Sequence, residues 1–295
     1  MRAAAILGLG CSPQDLKPFQ AVGDAEWRVG MPAPGDADVI LLFGGDGTIH
    51  RHLGQLVRLG LPVLVVPAGS GNDFASSLGL RRFRDSLAAW RGFSSGSAPV
   101  RAIDLGIISS LAVRPGEAPS PRYFCCVAGV GLDGEVARRA NQLPRWLKGK
   151  GGYLLSMGPA IFTFAPFPLK VLAADDEAPD AWTVRSHQPA LMAAFANTPF
   201  YGGGMKVAPQ AKLDDGLLDV CLVGAVRPLR LLRLFPTVYS GRHLKVREVE
   251  YFQSARLRVE TGYGMDVYAD GEYVCRTPIA VSVERRAFKV IVPPS

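Results

Sequence analysis

Between the apolar run Ile40–Phe43 and a stretch with helical periodicity stand Gly44, Gly45, Asp46, Gly47 and Thr48: three glycines around one carboxylate. A loop that leaves the end of a buried parallel strand and enters a helix points backbone N–H groups and the positive helix end outward, which suits an anion. Glycines let a phosphate come close to the backbone. The loop has no Walker lysine, and its spacing is not G-x-G-x-x-G. Asp46 would repel a phosphate unless a cation such as Mg²⁺ lay between them, so the chemistry indicated is that of a metal–nucleotide phosphate. The competing reading is a tight turn with Thr48 capping the next helix.

A second loop of this kind follows the next apolar run: Gly69, Ser70, Gly71, Asn72 and Asp73, with Asn72 or Asp73 suited to capping a helix. Two such loops at one edge of an open α/β sheet mark the edge where ligands bind. Two more acidic clusters lie downstream, Asp214-Asp215-Gly216 and Asp270-Gly271-Glu272. Read locally, both are turns, and Asp-Gly is a strong hairpin signal. His50 and His52 sit at i, i+2 and so face different sides of a helix, which argues against a shared metal. The five cysteines lack CxxC or Cys/His spacing, so neither a disulfide framework nor a zinc site is expected.

The elements that must hold these residues alternate at first. "ADVILLF" and "LPVLVVP" read as buried strands, each followed by a glycine-rich turn and a helical stretch, at 48–59 and 71–79. This is βα, βα, a parallel sheet with helices on its faces. From about residue 100 the pattern becomes a series of short strands, including "RAIDLGII", "RYFCCVAG", "PLKVLAA", "LLDVCLV", "ARLRVE" and "IAVSVE", interrupted by helical patterns near 132–142, 150–163 and 228–239. The fold class expected is an α/β nucleotide-binding domain over 1–98, then a mainly antiparallel, β-sandwich-like domain over 99–284. A last strand, 285–295, returns to the first domain. "SSGSAPV" at 94–100 is the expected hinge, and "RPGEAPSPR" at 114–122 reads as an exposed hairpin loop.

At these loops the sequence resembles the catalytic domain of the diacylglycerol kinase family, in particular the bacterial soluble lipid kinases. "GGDGT" and "PAGSGNDFA" are followed in order by "IDLG" at 103–106, "GVGLDGEVA" at 129–137, "PQAKLDDGLLDV" at 209–220 and "ADGE" at 269–272. The resemblance runs from about residue 38 to the end. It implies an NAD-kinase-like α/β domain for ATP, a β-sandwich-like lipid domain and a cleft between them. Gly45, Asp46, Gly47 and Thr48 would bind ATP phosphates, with Ser70 in the place of the usual threonine; Gly44, Gly69 and Asn72 complete the two loops. Asp104 would join the Mg²⁺-ATP network. Asp215, with the carbonyls of Lys212 and Leu217, matches a structural Mg²⁺ site. Glu272 matches the family's proposed general base.

The sequence also departs from the pattern. The family's Asn-Pro-x-Ser-Gly loop corresponds here to "ILGLGCSPQDLKPFQ", and the N-terminal part is abbreviated, which leaves open how the adenine is held and whether Lys17 serves a phosphate. His50 and Arg51 replace a more usual Asn-Glu. Of other readings, an NAD kinase shares the GGDG loop but expects a different second loop, and a non-catalytic lipid-binding relative is at odds with retention of Asp46, Asp104 and Glu272.

With 33 Lys plus Arg against 26 Asp plus Glu, a net charge of +7, anionic partners are favoured. The expectation is a lipid substrate in an anionic membrane touched peripherally, no nucleic acid, and a homodimer left open. Arg145, Lys148 and Lys150 beside Trp146, Tyr153, Phe162 and Phe164 suit a lipid headgroup interface. "GGYLLSMGPAIFTFAPFPL" is uncharged but broken by glycines and prolines, so no spanning helix is expected. "MRAAAILGLGC" has parts of a lipoprotein signal, but its apolar run is short and it reads as a first buried strand. The expected location is cytoplasmic, peripheral at the inner face of the membrane.

Overall fold

The computed structural model describes residues 1–112, 121–143, 150–174 and 181–294. The chain divides into two compact units, Met1–Asp104 with Arg285–Ser295, and Leu105–Glu284. The first boundary falls inside a strand, a few residues beyond the Ser/Gly-rich segment.

The first unit contains β1 (Arg2–Leu7), α1 (Pro13–Gln20), β2 (Glu26–Val29), β3 (Val39–Gly44), α2 (Asp46–Leu59), β4 (Val63–Pro67), α3 (Asp73–Ser77) and α4 (Phe83–Ser94). Its strands run parallel in the order β2-β1-β3-β4. Every residue of β3 is buried, as parallel strands covered on both faces require. α2 follows directly and ends at Gly60 in the left-handed region, φ 62°, where a residue without Cβ closes a helix most easily. The stretch ahead of β3 supplies a β1-α1-β2 segment.

The second unit begins within β5 (Val100–Ser110) and continues through β6 (Arg122–Phe124), β7 (Val127–Gly131), α5 (Leu132–Gln142), α6 (Lys150–Thr163), β8 (Phe167–Ala174), β9 (Trp182–Ala196), β10 (Leu218–Gly224), α7 (Pro228–Leu234), β11 (Val249–Ser254), β12 (Arg256–Thr261), β13 (Asp266–Ala269), β14 (Glu272–Arg276) and β15 (Ile279–Ile291). Two 3₁₀ turns, Phe235–Ser240 and Arg242–Lys245, follow α7. Pairing is antiparallel throughout this unit's sheet. β9 organises it: its first half pairs with β8, and its second half lies between β7 and β10. β8 alternates buried and half-exposed side chains, the period of a strand with one face on a core. That core holds Phe124, Phe167, Phe195, Leu257 and Val281, all fully buried.

The expected fold class is therefore the observed one; the expected helices form, the last as an α-helix only over Pro228–Leu234 before a 3₁₀ turn, and α1 and α4 are additional to them. The stretch "RYFCCVAG", read as one strand, is instead two: Cys125 and Cys126 lie between β6 and β7. β15 is longer than "IAVSVE" and runs on into the first unit, where Val290 pairs in parallel with Val63 of β4. The expected hairpin loop at 114–122 lies largely outside the described residues, as do Arg145, Trp146 and Lys148.

Candidate functional site

β3 and β4 end side by side, Gly44 opposite Pro67, so the two glycine-rich loops leave the sheet together. The Ala68 amide donates to the Gly44 carbonyl at 3.1 Å. Contact between the loops is backbone to backbone: a Cβ built on Gly69 would lie 2.4 Å from the Gly45 Cα. Gly44 has a different reason to be glycine. A Cβ there would meet Thr48 Oγ1 at 2.6 Å. Thr48 is thus packed back against its own loop in the first turn of α2, and the cap position expected for it belongs to Gly45.

Asp46 fastens the two loops. Its Oδ2 accepts the Asp73 amide at 3.0 Å and its Oδ1 the Phe74 amide at 3.1 Å. These are first-turn donors of α3, which a helix cannot satisfy internally. The cap expected from Asn72 therefore comes from the neighbouring loop. Asn72 itself adopts φ 55° and turns inward, accepting from Gly69 N at 2.9 Å and donating to Gly69 O at 2.7 Å, which fixes the second loop's shape.

This arrangement fits a nucleotide's phosphates and their cation. α2 is a 14-residue helix whose N-cap, Gly45, carries no side chain to cover the first turn, so its positive end suits an anion. A carboxylate has about four lone-pair positions, so Asp46 can hold α3 and still face a cation. Asp73, overlooked as a site residue, is buried and adjacent to Asp46; its only sequence signal was its place in "GNDF". Asp104 is buried at 1% exposure, and its Oδ1 accepts the amide of Arg286 at 2.7 Å, where the backbone turns left-handed, φ 55°. The structure thus gives Asp104 a positioning task within the first unit.

In the second unit the turn readings hold. Asp270 and Gly271 have φ 51° and 86°, the two left-handed residues of a tight hairpin joining β13 to β14. The Asp270 carboxylate reaches across to the break between β6 and β7. It accepts Cys125 N at 2.9 Å, Cys126 N at 2.8 Å and Val127 N at 3.2 Å, and the Cys125 thiol stands at 3.4 Å. Cys125, Cys126 and Asp270 have metal-ligand spacing, but these donors already occupy the carboxylate. Glu272 is exposed at the start of β14, opposite Ala269.

Asp215 lies in the loop before β10, and its Oδ1 accepts the Leu217 amide at 3.0 Å across Gly216, φ 75°. Nearby Asp219 is fully buried, bonded to the Tyr251 hydroxyl and to Gln253 Nε2 at 3.3 Å. Burial pushes its carboxyl pKa up, against the hydrogen bonds from Tyr251 and Gln253, which lower it; Asp215 adds to the rise and Lys212 opposes it more weakly. Such a carboxylate-rich turn fits the chemistry of a hard divalent cation.

The second unit also holds a partly open pocket of about 100 Å³ with almost wholly apolar walls, formed by Val136 of α5, Met157 and Ile161 of α6, Met192 of β9, Leu231 of α7 and Phe235. Methionines make such walls adaptable to a chain of variable shape. His243, also at the cavity, is buried with Nε2 3.1 Å from the Val207 carbonyl, and burial lowers its pKa below 6.5 despite that bond. No helix among the described residues is long and apolar enough to cross a membrane.

Two family models match the chain: the diacylglycerol kinase catalytic domain over residues 14–106, and the YegS C-terminal NAD kinase beta sandwich-like domain over residues 126–292. A protein named diacylglycerol kinase from Mycobacterium tuberculosis is 31% identical over 277 residues, covering 92% of this chain and 82% of that one. A diacylglycerol kinase of Bacillus subtilis is 27% identical, with 85% and 76% covered. A solved diacylglycerol kinase structure from Bacillus anthracis superposes with TM-score 0.67 at 19% identity, covering 99% of this chain and 97% of that one, a likeness of fold.

Proposed function

The chain belongs to the diacylglycerol-kinase-like family of lipid kinases, and from that premise we propose that it transfers the γ-phosphoryl group of Mg²⁺-ATP to the hydroxyl of a glycerolipid, diacylglycerol or a near relative. The observation that carries this reading is the interlock of the two strand-end loops by Asp46, beside the glycine-capped N-terminus of α2. Gly45, Gly47, Thr48 and Ser70 frame the phosphates there. Mg²⁺, when bound, neutralises charge on the transferring group.

On the acceptor side, the lipid oxygen bonds to the γ-phosphorus as the bond to the ADP oxygen breaks, and the hydroxyl proton leaves. Glu272 takes that proton in this reading; its exposed carboxylate is open to substrate, whereas Asp270 is committed to the amides of 125–127. The apolar cavity supports an acceptor with a hydrocarbon chain over a nucleotide acceptor. The same substrate preference requires peripheral contact with a membrane, and the excess of basic residues favours an anionic one.

The test is transfer of label from γ-labelled ATP to a panel of diacylglycerol, monoacylglycerol, sphingosine and ceramide, with NAD in a parallel reaction. Label extracted with diacylglycerol or another glycerolipid is the expected result. Labelled NADP as the only product would move the assignment to a nucleotide kinase.

A further inference from the structure

The segment from Arg227 to Arg247 contains six Lys and Arg residues and no Asp or Glu. It comprises α7 and the two 3₁₀ turns, and although rich in leucine and aromatic residues, neither α7 nor the turn Phe235–Ser240 buries a single side chain. α7 is apolar on two opposite sides. Leu231 and Leu234 line the cavity. Leu229 and Leu232, three residues apart and so on the other side of the helix, are 74% and 46% exposed. α6, packed against α7, exposes Leu155 and Phe162, seven residues apart and so on one helical face.

The cations around this apolar surface are mostly unspent. Arg230 and Arg247 pair with Glu248, at 3.1 and 2.9 Å. Among the described residues no carboxylate pairs with Arg227, Arg233, Arg242 or Lys245, all of them exposed. Exposed leucines set among arginines, with the neighbouring Glu248 taken up by Arg230 and Arg247, match the boundary of an anionic bilayer, where apolar side chains enter the acyl region and cations meet the headgroups. A water-facing surface gives no reason for two outward leucines beside an already half-exposed apolar helix.

We propose that α7 and its following turns are the element that seats the second unit on an anionic bilayer, with Leu229 and Leu232 entering the headgroup boundary and Arg227 and Arg233 pairing with lipid phosphates. The inference rests on the lipid-kinase reading only for its purpose, since it places the inner side of the docking helix on the wall of the proposed acyl cavity.

The experiment measures partition onto phosphatidylcholine vesicles with and without phosphatidylglycerol, in the absence of nucleotide and acceptor lipid. The unaltered protein is expected to bind the mixed vesicles and release them in high salt. Leu229→Ser/Leu232→Ser and Arg227→Ser/Arg233→Ser are each expected to lower partition by roughly tenfold or more, while phosphorylation of a short-chain acceptor in solution stays unchanged and circular dichroism confirms folding. Partition of both variants equal to that of the unaltered protein overturns the proposal. So does loss with the arginine pair alone, which would mark a surface for an acidic macromolecule. So does a dimer that the leucine pair dissolves while vesicle binding is unmoved. Vesicle binding through α7 without phosphorylation of any lipid would leave the docking face standing and refute the kinase reading instead.

Discussion

Replacing Asp46 by asparagine separates two tasks that one carboxylate performs. In the folded chain its two oxygens accept amides of Asp73 and Phe74 at 3.0 and 3.1 Å, so the side chain ties the first loop to α3 before any nucleotide arrives. Asparagine keeps one acceptor oxygen and turns an NH₂ toward the other amide, leaving that donor unpaired. Hydrogen bonds to a charged acceptor contribute about 1.5–3 kcal/mol, so roughly that much stability is lost. For a protein of this size about 2–4 °C accompany each kcal/mol, which predicts a Tm about 3–12 °C lower without nucleotide. Mg²⁺-ATP affinity falls as well, because the amide carries no charge to hold a cation against the phosphates. Thermal unfolding without nucleotide and calorimetric titration with Mg²⁺-ATP read the two effects separately. A variant that melts with the unaltered protein would refute the loop-fastening argument, and one that binds Mg²⁺-ATP normally would remove Asp46 from the site.

Gly69→Ala places a Cβ against the Gly45 backbone and is expected to cost about 1–3 kcal/mol and to weaken nucleotide binding; an unchanged Tm and nucleotide affinity would mean the loops separate freely. Glu272→Gln should lower kcat by ~10²–10⁴ with nucleotide affinity nearly unchanged, which single-turnover assays beside nucleotide titration check; a wild-type rate excludes it as the base. Asp215→Ala should lose a divalent cation retained by the unaltered protein in elemental analysis, and melt lower; unchanged metal content returns this segment to an ordinary turn. His243 is held neutral by burial, so the unfolded chain takes its proton first as pH falls. Its contribution to stability is complete above pH 6.5 and is lost progressively below it, and denaturant titrations of His243→Gln should lack that acid limb.

The elements were legible where a local period or a turn dipeptide specifies them. Period-3.6 patterns located α2, α5 and α6, and Asp270-Gly271 announced a hairpin whose two residues indeed have positive φ. What the sequence could not display were the carboxylates that bond backbone far away in the chain: Asp46 to residues 27 and 28 positions on, Asp270 to residues about 145 back, Asp104 to one 182 on. A side chain that accepts a distant amide leaves no periodic trace, and its local surroundings read as a turn or a strand end. The close contacts of the glycines were hidden in the same way: Gly44 makes room for Thr48, Gly45 and Gly69 for each other, and Gly106 for the ring of Phe124.

The division of "RYFCCVAG" into two strands follows from the same kind of contact and bears on how Glu272 is aimed. Three consecutive amides, from Cys125 to Val127, converge on one carboxylate, a geometry that a continuing strand cannot adopt because its successive N–H groups point to opposite sides. The break is therefore the counterpart of the hairpin: β13 already pairs with β7, Tyr268 opposite Gly129, and Asp270 locks the hairpin's tip onto the start of β7. Glu272 begins β14 two residues later, so its backbone is held from two sides, by the β13–β14 ladder and by this clamp. The base role proposed for Glu272 depends on such support, since a carboxylate on a loosely held loop would spend little time within reach of an acceptor hydroxyl. The Asp-Gly pair thus makes the turn and, through the Asp270 carboxylate, the clamp as well, and only the first of these was legible in the local sequence.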